Sequence, residues 1–191
     1  MRKLAIILSS LSVLLLALPA SALTYKTVSR VNGTAAEAVW ESVDGNVVTD
    51  TYVAADVTNL GSEVYLEVDT FNTETSDFTC KNAYVLTPDA SLFTVNKLNS
   101  ATLNPVTVEL YDCFTLEDMG STTVQANWTG AGKTVKQSVV FRTRGGFSET
   151  FKSTSVLRNA SATGSLNSVD LGSSFLADLV QFKQMDMTRV K

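Results

Sequence analysis

Glu63-Val64-Tyr65-Leu66-Glu67-Val68-Asp69 alternates without a break. Val64, Leu66 and Val68 fall on one side of an extended chain, and Glu63, Tyr65, Glu67 and Asp69 fall on the other. This two-residue period is that of a strand with one buried and one wet face.

The same period recurs on either side of it. Upstream, Ala36, Ala38, Trp40 and Ser42 alternate with Glu37, Val39 and Glu41. Asp44-Gly45-Asn46 supplies residues tolerant of positive φ, so the stretch from Thr34 to Val57 reads as a hairpin. Asn59-Leu60-Gly61 turns the chain into the strand quoted first. Downstream, Asn72 to Asp77 is a polar loop, Phe78 to Leu86 a further strand, and Thr87-Pro88-Asp89-Ala90 a turn. Leu92 to Val95 and Thr102 to Tyr111 read as extended, with Val106, Val108 and Leu110 inward. Val124, Ala126 and Trp128 mark another strand, and Gly130-Ala131-Gly132 leads into Lys133 to Arg144.

In that last stretch Val135, Val139 and Phe141 share one face, while Lys136, Ser138, Arg142 and Arg144 share the other, before Gly145-Gly146 ends it. Phe147 and Phe151 mark a further strand, and one more runs from Arg158 to Leu166. The small residues Ala160, Ala162 and Gly164 alternate there and leave room for Trp40 or Trp128 to pack over them. Phe175, Leu176, Leu179, Val180 and Phe182 predict a short C-terminal helix, followed by a final strand from Met185 to Val190. About ten short strands with tight turns predict an all-β fold, an antiparallel β-sandwich or jelly roll.

Composition bounds the chemistry. The chain has 191 residues, 19 acidic and 15 basic, with two cysteines and no histidine. A Ser-His-Asp triad, a histidine-ligated metal and a histidine proton shuttle are therefore excluded, and two thiols are too few for a four-cysteine zinc site. Arg2 and Lys3 precede an apolar run from Leu4 to Leu18, and Ala20-Ser21-Ala22 then forms a small-residue cleavage signal. This predicts a signal peptide over 1–22 and a single domain over 23–191 that is secreted or periplasmic, with no membrane span after cleavage. In an oxidising compartment Cys80 and Cys113 are expected to form a disulfide.

Charge is unevenly placed along the chain. Positions 31 to 120 hold fifteen acidic and two basic residues, and positions 121 to 191 hold nine basic and four acidic ones. The economical reading pairs acidic strands with basic neighbours across the ladder. The functional alternative is a bipolar surface that steers a charged ligand, with Lys136, Arg142 and Arg144 as its positive stripe and Glu63, Glu67 and Asp69 as its negative one. An overall acidic chain without a long basic run argues against nucleic acid as a partner.

Three weaker patterns bear on function. Asp69, Asn72, Glu74 and Asp77 offer hard oxygen ligands for calcium, although their spacing matches no EF-hand, and the bland reading is a solvated loop. An outward face bearing Glu63, Glu67 or Asp69 offers candidates for the acid and base of glycoside cleavage, although every acidic sandwich offers such pairs and their separation is not set by sequence. Thr129-Gly130-Ala131-Gly132-Lys133-Thr134 lacks the first glycine of a phosphate-binding loop and joins two strands, so that reading is rejected.

The segments Trp128-Thr129-Gly130-Ala131-Gly132, Phe141-Arg142-Thr143-Arg144 and Arg158-Asn159-Ala160-Ser161-Ala162-Thr163-Gly164 resemble those of a group of exported bacterial proteins. The likeness extends to the hairpin around Trp40 and departs at Ala131-Gly132-Lys133, where many members have Gly-Pro. It implies an exported β-sandwich with no established activity. The expectation is thus a non-catalytic extracellular binding or structural domain whose ligand is a glycan or envelope component. The alternatives are a carboxylate-dependent glycoside hydrolase and a calcium-stabilised structural domain. No cofactor other than calcium is implied.

Overall fold

The computed structural model describes residues 25–89, 91–143 and 147–190; the leader expected over 1–22, Arg144 and the Gly145-Gly146 pair lie outside them. The described chain is all-β and antiparallel. Its strands are β1 (Tyr25–Asp44), β2 (Val47–Thr58), β3 (Gly61–Asn72), β4 (Phe78–Thr87), β5 (Phe93–Asn96), β6 (Ser100–Asp112), β7 (Asp118–Gly130), β8 (Val135–Arg142), β9 (Phe147–Leu166), β10 (Val169–Ser173) and β11 (Leu176–Val190).

Eight of them close on themselves. β1 pairs β2, β2 pairs β3, β3 pairs β4, β4 pairs β6, β6 pairs β7, β7 pairs β9, β9 pairs β11, and β11 returns to β1. The expected all-β antiparallel fold is therefore realised as one sheet closed on itself, consistent with a sandwich-like form, and its inward rows meet in one core. Trp40, Val53, Val64, Leu66, Leu103, Val124, Trp128 and Leu179 are each at most 2% exposed in that core. β5 folds Phe93 into it, with its ring edge-on to Trp128 at 6.0 Å between centroids.

The small residues of β9 do what their size predicts. Ala162 stands opposite Trp128 in the ladder, and a Cβ added at Gly164 would lie 3.0 Å from Cζ2 of Trp40 and 3.1 Å from the Gln125 carbonyl. Both indoles are satisfied as well as packed. Trp40 Nε1 donates to the Gly172 carbonyl at 3.2 Å, and Trp128 Nε1 donates to the Glu37 carbonyl at 3.0 Å.

The weakest seam of the ring lies between β4 and β6, which are joined in register only by Lys81 with Asp112 and Asn82 with Tyr111. The expected disulfide sits beside these pairs: Cys80 and Cys113 are bonded with Cα atoms 5.4 Å apart, and Cys113 N donates to the Cys80 carbonyl at 3.1 Å.

Where a helix is predicted at Phe175 to Phe182, the chain is extended, with β11 beginning at Leu176. β11 is paired on both sides, by β1 and by β9, and its side chains alternate: Ala177 and Leu179 are buried in the core while Asp178 and Val180 point the other way. Its apolar residues look helical because both faces of this strand are apolar just where it leaves the ring. A short apolar run cannot distinguish these cases by period alone.

Three ring strands continue past the ring and, joined by β8, form a projecting four-stranded sheet, here called the wing. It consists of β8, the first half of β9, the last half of β11 and the first part of β1, in that order. β1 joins β2 only from Gly33, which stands opposite Thr58, so the residues before it belong to the wing. The Phe182 ring lies across this point, so close that a Cβ at Gly33 would stand 2.6 Å from its Cζ. β8 is exposed along its whole length and pairs only with β9.

Candidate functional site

Each wing strand carries two rows of side chains, and ladder register assigns every residue to a face. One row of β1 runs Lys26, Val28, Arg30, Asn32, Thr34 and then enters the ring as the buried Ala36, Ala38 and Trp40. The rows directly opposite are Arg189, Met187, Met185, Lys183 and Gln181 of β11. Beyond them lie Ser148, Thr150, Lys152, Thr154 and Val156 of β9, and then Arg142, Val140, Ser138 and Lys136 of β8. The row that makes core inside the ring thus becomes polar once no opposite wall covers it.

This wing face carries seven cations, Lys26, Arg30, Lys136, Arg142, Lys152, Lys183 and Arg189, and among the described residues no carboxylate. All seven are exposed. Strands lie about 4.8 Å apart and alternate residues about 6.7 Å apart, so the cations are spread over roughly 27 by 15 Å. They are staggered, with Met185 between Arg30 and Lys152, and Lys26 beside Arg189 is the only directly opposed pair among them. Lys136 and Arg142 of the expected stripe are here together, and Arg144 lies outside the described residues. Reading β8 alone found two of the cations. The other five sit on strands remote in sequence, and only the ladder brings them onto one face.

The opposite wing face is apolar, with Val135, Val139 and Phe141 of β8 each more than half exposed beside Phe151, Leu157, Val180 and Phe182. Asp186 and Glu149 lie at its tip.

That second face runs on into the outer wall of the ring, where its character changes. Glu37, Glu41, Asp50, Asp56, Glu63, Glu67, Asp69 and Asp178 all occupy outward positions on β11, β1, β2 and β3, with no cation among the described residues of that face. Opposite-sign pairing across the ladder, the economical expectation, does not hold here. Glu41 stands opposite Asp50, Asp50 opposite Asp69, Asp56 opposite Glu63 and Glu37 opposite Asp178. Like charges directly opposed are unfavourable, and the wall offsets this by letting tyrosines separate and bind the carboxylates. Tyr52 OH donates to Glu37 Oε2 at 2.8 Å, and Tyr65 OH donates to Glu67. The Tyr52 and Tyr65 rings meet at a tilt of 60° with centroids 5.9 Å apart, and Tyr84 stands opposite Tyr65 on β4.

Ionisation is resisted at Asp56, at Asp178 and at the three tyrosines. Burial, with Glu63 adding repulsion, pushes the Asp56 carboxyl up to about 6. Burial and then Glu37 raise Asp178 above the ordinary carboxylate range. The Tyr84 phenol is pushed up to about 12 by burial and then by Glu63. Burial, followed by their carboxylate partners, raises Tyr52 and Tyr65 further still.

The loop oxygens weighed for calcium are taken up locally. Asn72 Oδ1 accepts from the backbone N–H groups of Glu74 and Thr75, Glu74 Oε2 accepts from Asn46 Nδ2, and Asp77 Oδ2 accepts from Thr75. Asp69 stands apart from them on β3, close to Glu67 and to the disulfide-bonded Cys80. An open depression of about 340 Å³ lies elsewhere, lined by Gln125, Asn127, Thr163, Gly164, Ser165, Ser168 and Asp170, and holds one titratable group.

The basic wing face offers charge and hydroxyl donors without a carboxylate or imidazole to move a proton. Its unbalanced positive charge attracts anions. Compared with protein-family models, with curated proteins and with solved structures, the chain matches none.

Proposed function

We propose that this chain is a non-catalytic binding protein of the cell exterior and that its working surface is the basic face of the wing, which holds an extended anionic partner such as an acidic envelope glycan. The observation that carries this reading is the gathering of seven exposed cations from four strands onto one open sheet face without a carboxylate among the described residues. A polymer lying across such a face releases its condensed counterions, so affinity comes from many weak contacts and falls steeply with salt. The sheet suits a polymer without bases, since no aromatic side chain stands among the described residues of that face to stack on one. The Cys80–Cys113 bond and the cleavable leader expected over 1–22 support export.

The test is retention on an immobilised acidic polysaccharide, with a neutral glucan as control. Wild-type protein is expected on the acidic matrix at low salt and released well below molar salt. The variant Lys136→Glu/Arg142→Glu/Lys152→Glu is expected in the flow-through. Equal retention of the two proteins, or equal retention on both matrices, would refute the reading.

A further inference from the structure

The two charged faces of this molecule fit each other. One is a four-stranded sheet face with seven cations, and the other is a four-stranded sheet face with eight carboxylates. Neither carries a charge of the opposite sign among the described residues. They lie on different parts of the fold, the wing and the ring wall, and on opposite sides of the strands that run through both. A single copy cannot bring them together. Resting on the reading that the basic face takes an extended anionic partner, we propose that one such partner is the acidic wall of a second copy of this chain, docked head to tail.

Charge complementarity is matched by dimension. Both faces are antiparallel sheets, so their side chains stand on the same lattice of about 4.8 Å between strands and about 6.7 Å between alternate residues. Cations staggered on the wing can therefore sit over carboxylates on the wall in register. The face of roughly 27 by 15 Å covers about 400 Å² in projection on each copy, within the range of weak, salt-dependent association.

The wall gains most from such a contact. Four of its carboxylate pairs are directly opposed across the ladder, and Glu41, Asp50 and Asp69 form an unbroken acidic row over three strands. Cations from another molecule would lower that repulsion further, adding opposite charge where the wall itself supplies tyrosine hydroxyls. Because the two surfaces differ, the contact is heterologous. Each copy bound by its wall leaves its own wing free, so addition continues into a ring or an open filament.

Two charge-reversed proteins test this together. The wing variant is Arg142→Glu/Lys152→Glu/Lys183→Glu, and the wall variant is Glu41→Lys/Asp50→Lys, which spares Glu37, Glu63 and Glu67, the carboxylates that tyrosines hold. Sedimentation velocity is run at about 10 mM salt, where the screening length is about 30 Å, and at about 1 M, where it is about 3 Å. Wild-type protein is expected to sediment as a concentration-dependent series at low salt and as one copy at high salt. Each variant alone is expected to weaken association at least tenfold, and their equimolar mixture to regain it, because the wall of the first variant then meets the wing of the second. Circular dichroism of each variant checks for strand content, and recovery in the mixture cannot come from misfolded chains. Wild-type protein that stays single at low salt, or a mixture that fails to recover, overturns the proposal.

Retention on acidic polysaccharide separates this proposal from the reading beneath it. The wing variant is expected to lose retention and the wall variant to keep it. Retention without self-association would leave the binding function standing and the second copy refuted, and loss of both would refute both.

Discussion

The Trp128 indole reaches across the core from β7 to the backbone carbonyl of Glu37 on β1, 3.0 Å away, while the Glu37 side chain on the outside of the same strand accepts from Tyr52 at 2.8 Å. One residue thus ties the buried centre of the ring to its acidic wall. Replacing Trp128 by Phe keeps an aromatic ring and removes the donor. It is expected to cost about 1–3 kcal/mol, read as a lower midpoint in urea unfolding. Trp128→Phe with an unchanged midpoint would show that the bond contributes nothing net.

Gly164 has no room for a side chain, because the Trp40 ring fills the space a Cβ would enter. Gly164→Val is expected to destabilise by about 1–3 kcal/mol through displacement of that ring. Pairing it with Trp40→Leu should recover part of the loss, which a thermal denaturation cycle on the four proteins would measure.

The disulfide clamps the shortest stretch of pairing in the ring. Replacing Cys80 and Cys113 together by Ser is expected to cost about 3–4 kcal/mol, as for a closed loop of this length. The change should be local as well as global. Amide exchange should rise first at Lys81, Asn82, Tyr111 and Asp112, where β4 meets β6, and a uniform rise over all strands would contradict the seam.

Asp56 makes the acidic wall respond to pH. Its carboxyl titrates at about 6 in the folded chain, above the ordinary value near 3.8. Between these values the folded state holds a proton that the unfolded state has released, so stability falls as pH rises through that window and returns as pH drops. Asp56→Asn is expected to raise the melting temperature at pH 7 and to flatten its dependence between pH 4 and 6. An unchanged profile would place the charge-sensitive site elsewhere on the wall.

The alternation of Glu63 to Asp69 contained most of the fold, because a two-residue period fixes which side chains are buried wherever one face meets a core. The row of Ala160, Ala162 and Gly164 likewise foretold where the indoles pack. The C-terminal strand was not legible as one. Leu179 faces the core while Val180 and Phe182 cover the apolar side of the wing, so the hydrophobic pattern has no single period there.

The basic face was legible only in its β8 part, through Lys136 and Arg142. The cations at Lys26, Arg30, Lys152, Lys183 and Arg189 are scattered over more than 160 positions, and only the antiparallel register aligns them. The division of charge between the two halves of the sequence suggested neighbouring strands of opposite sign. The topology instead sends the basic strands outward as a wing and leaves the acidic strands facing one another.

The most direct test of the account is the salt dependence of binding to a soluble acidic polysaccharide, measured for wild-type protein and for single neutralisations of Arg30, Lys136, Arg142, Lys152 and Lys183 to Gln. If the face acts as one surface, affinity falls roughly a hundredfold to a thousandfold between about 50 and 200 mM salt, and each neutralisation lowers the slope of log affinity against log salt by somewhat less than one. A slope near zero, or one that the five substitutions leave unchanged, would contradict the assignment of the basic wing face as the binding surface.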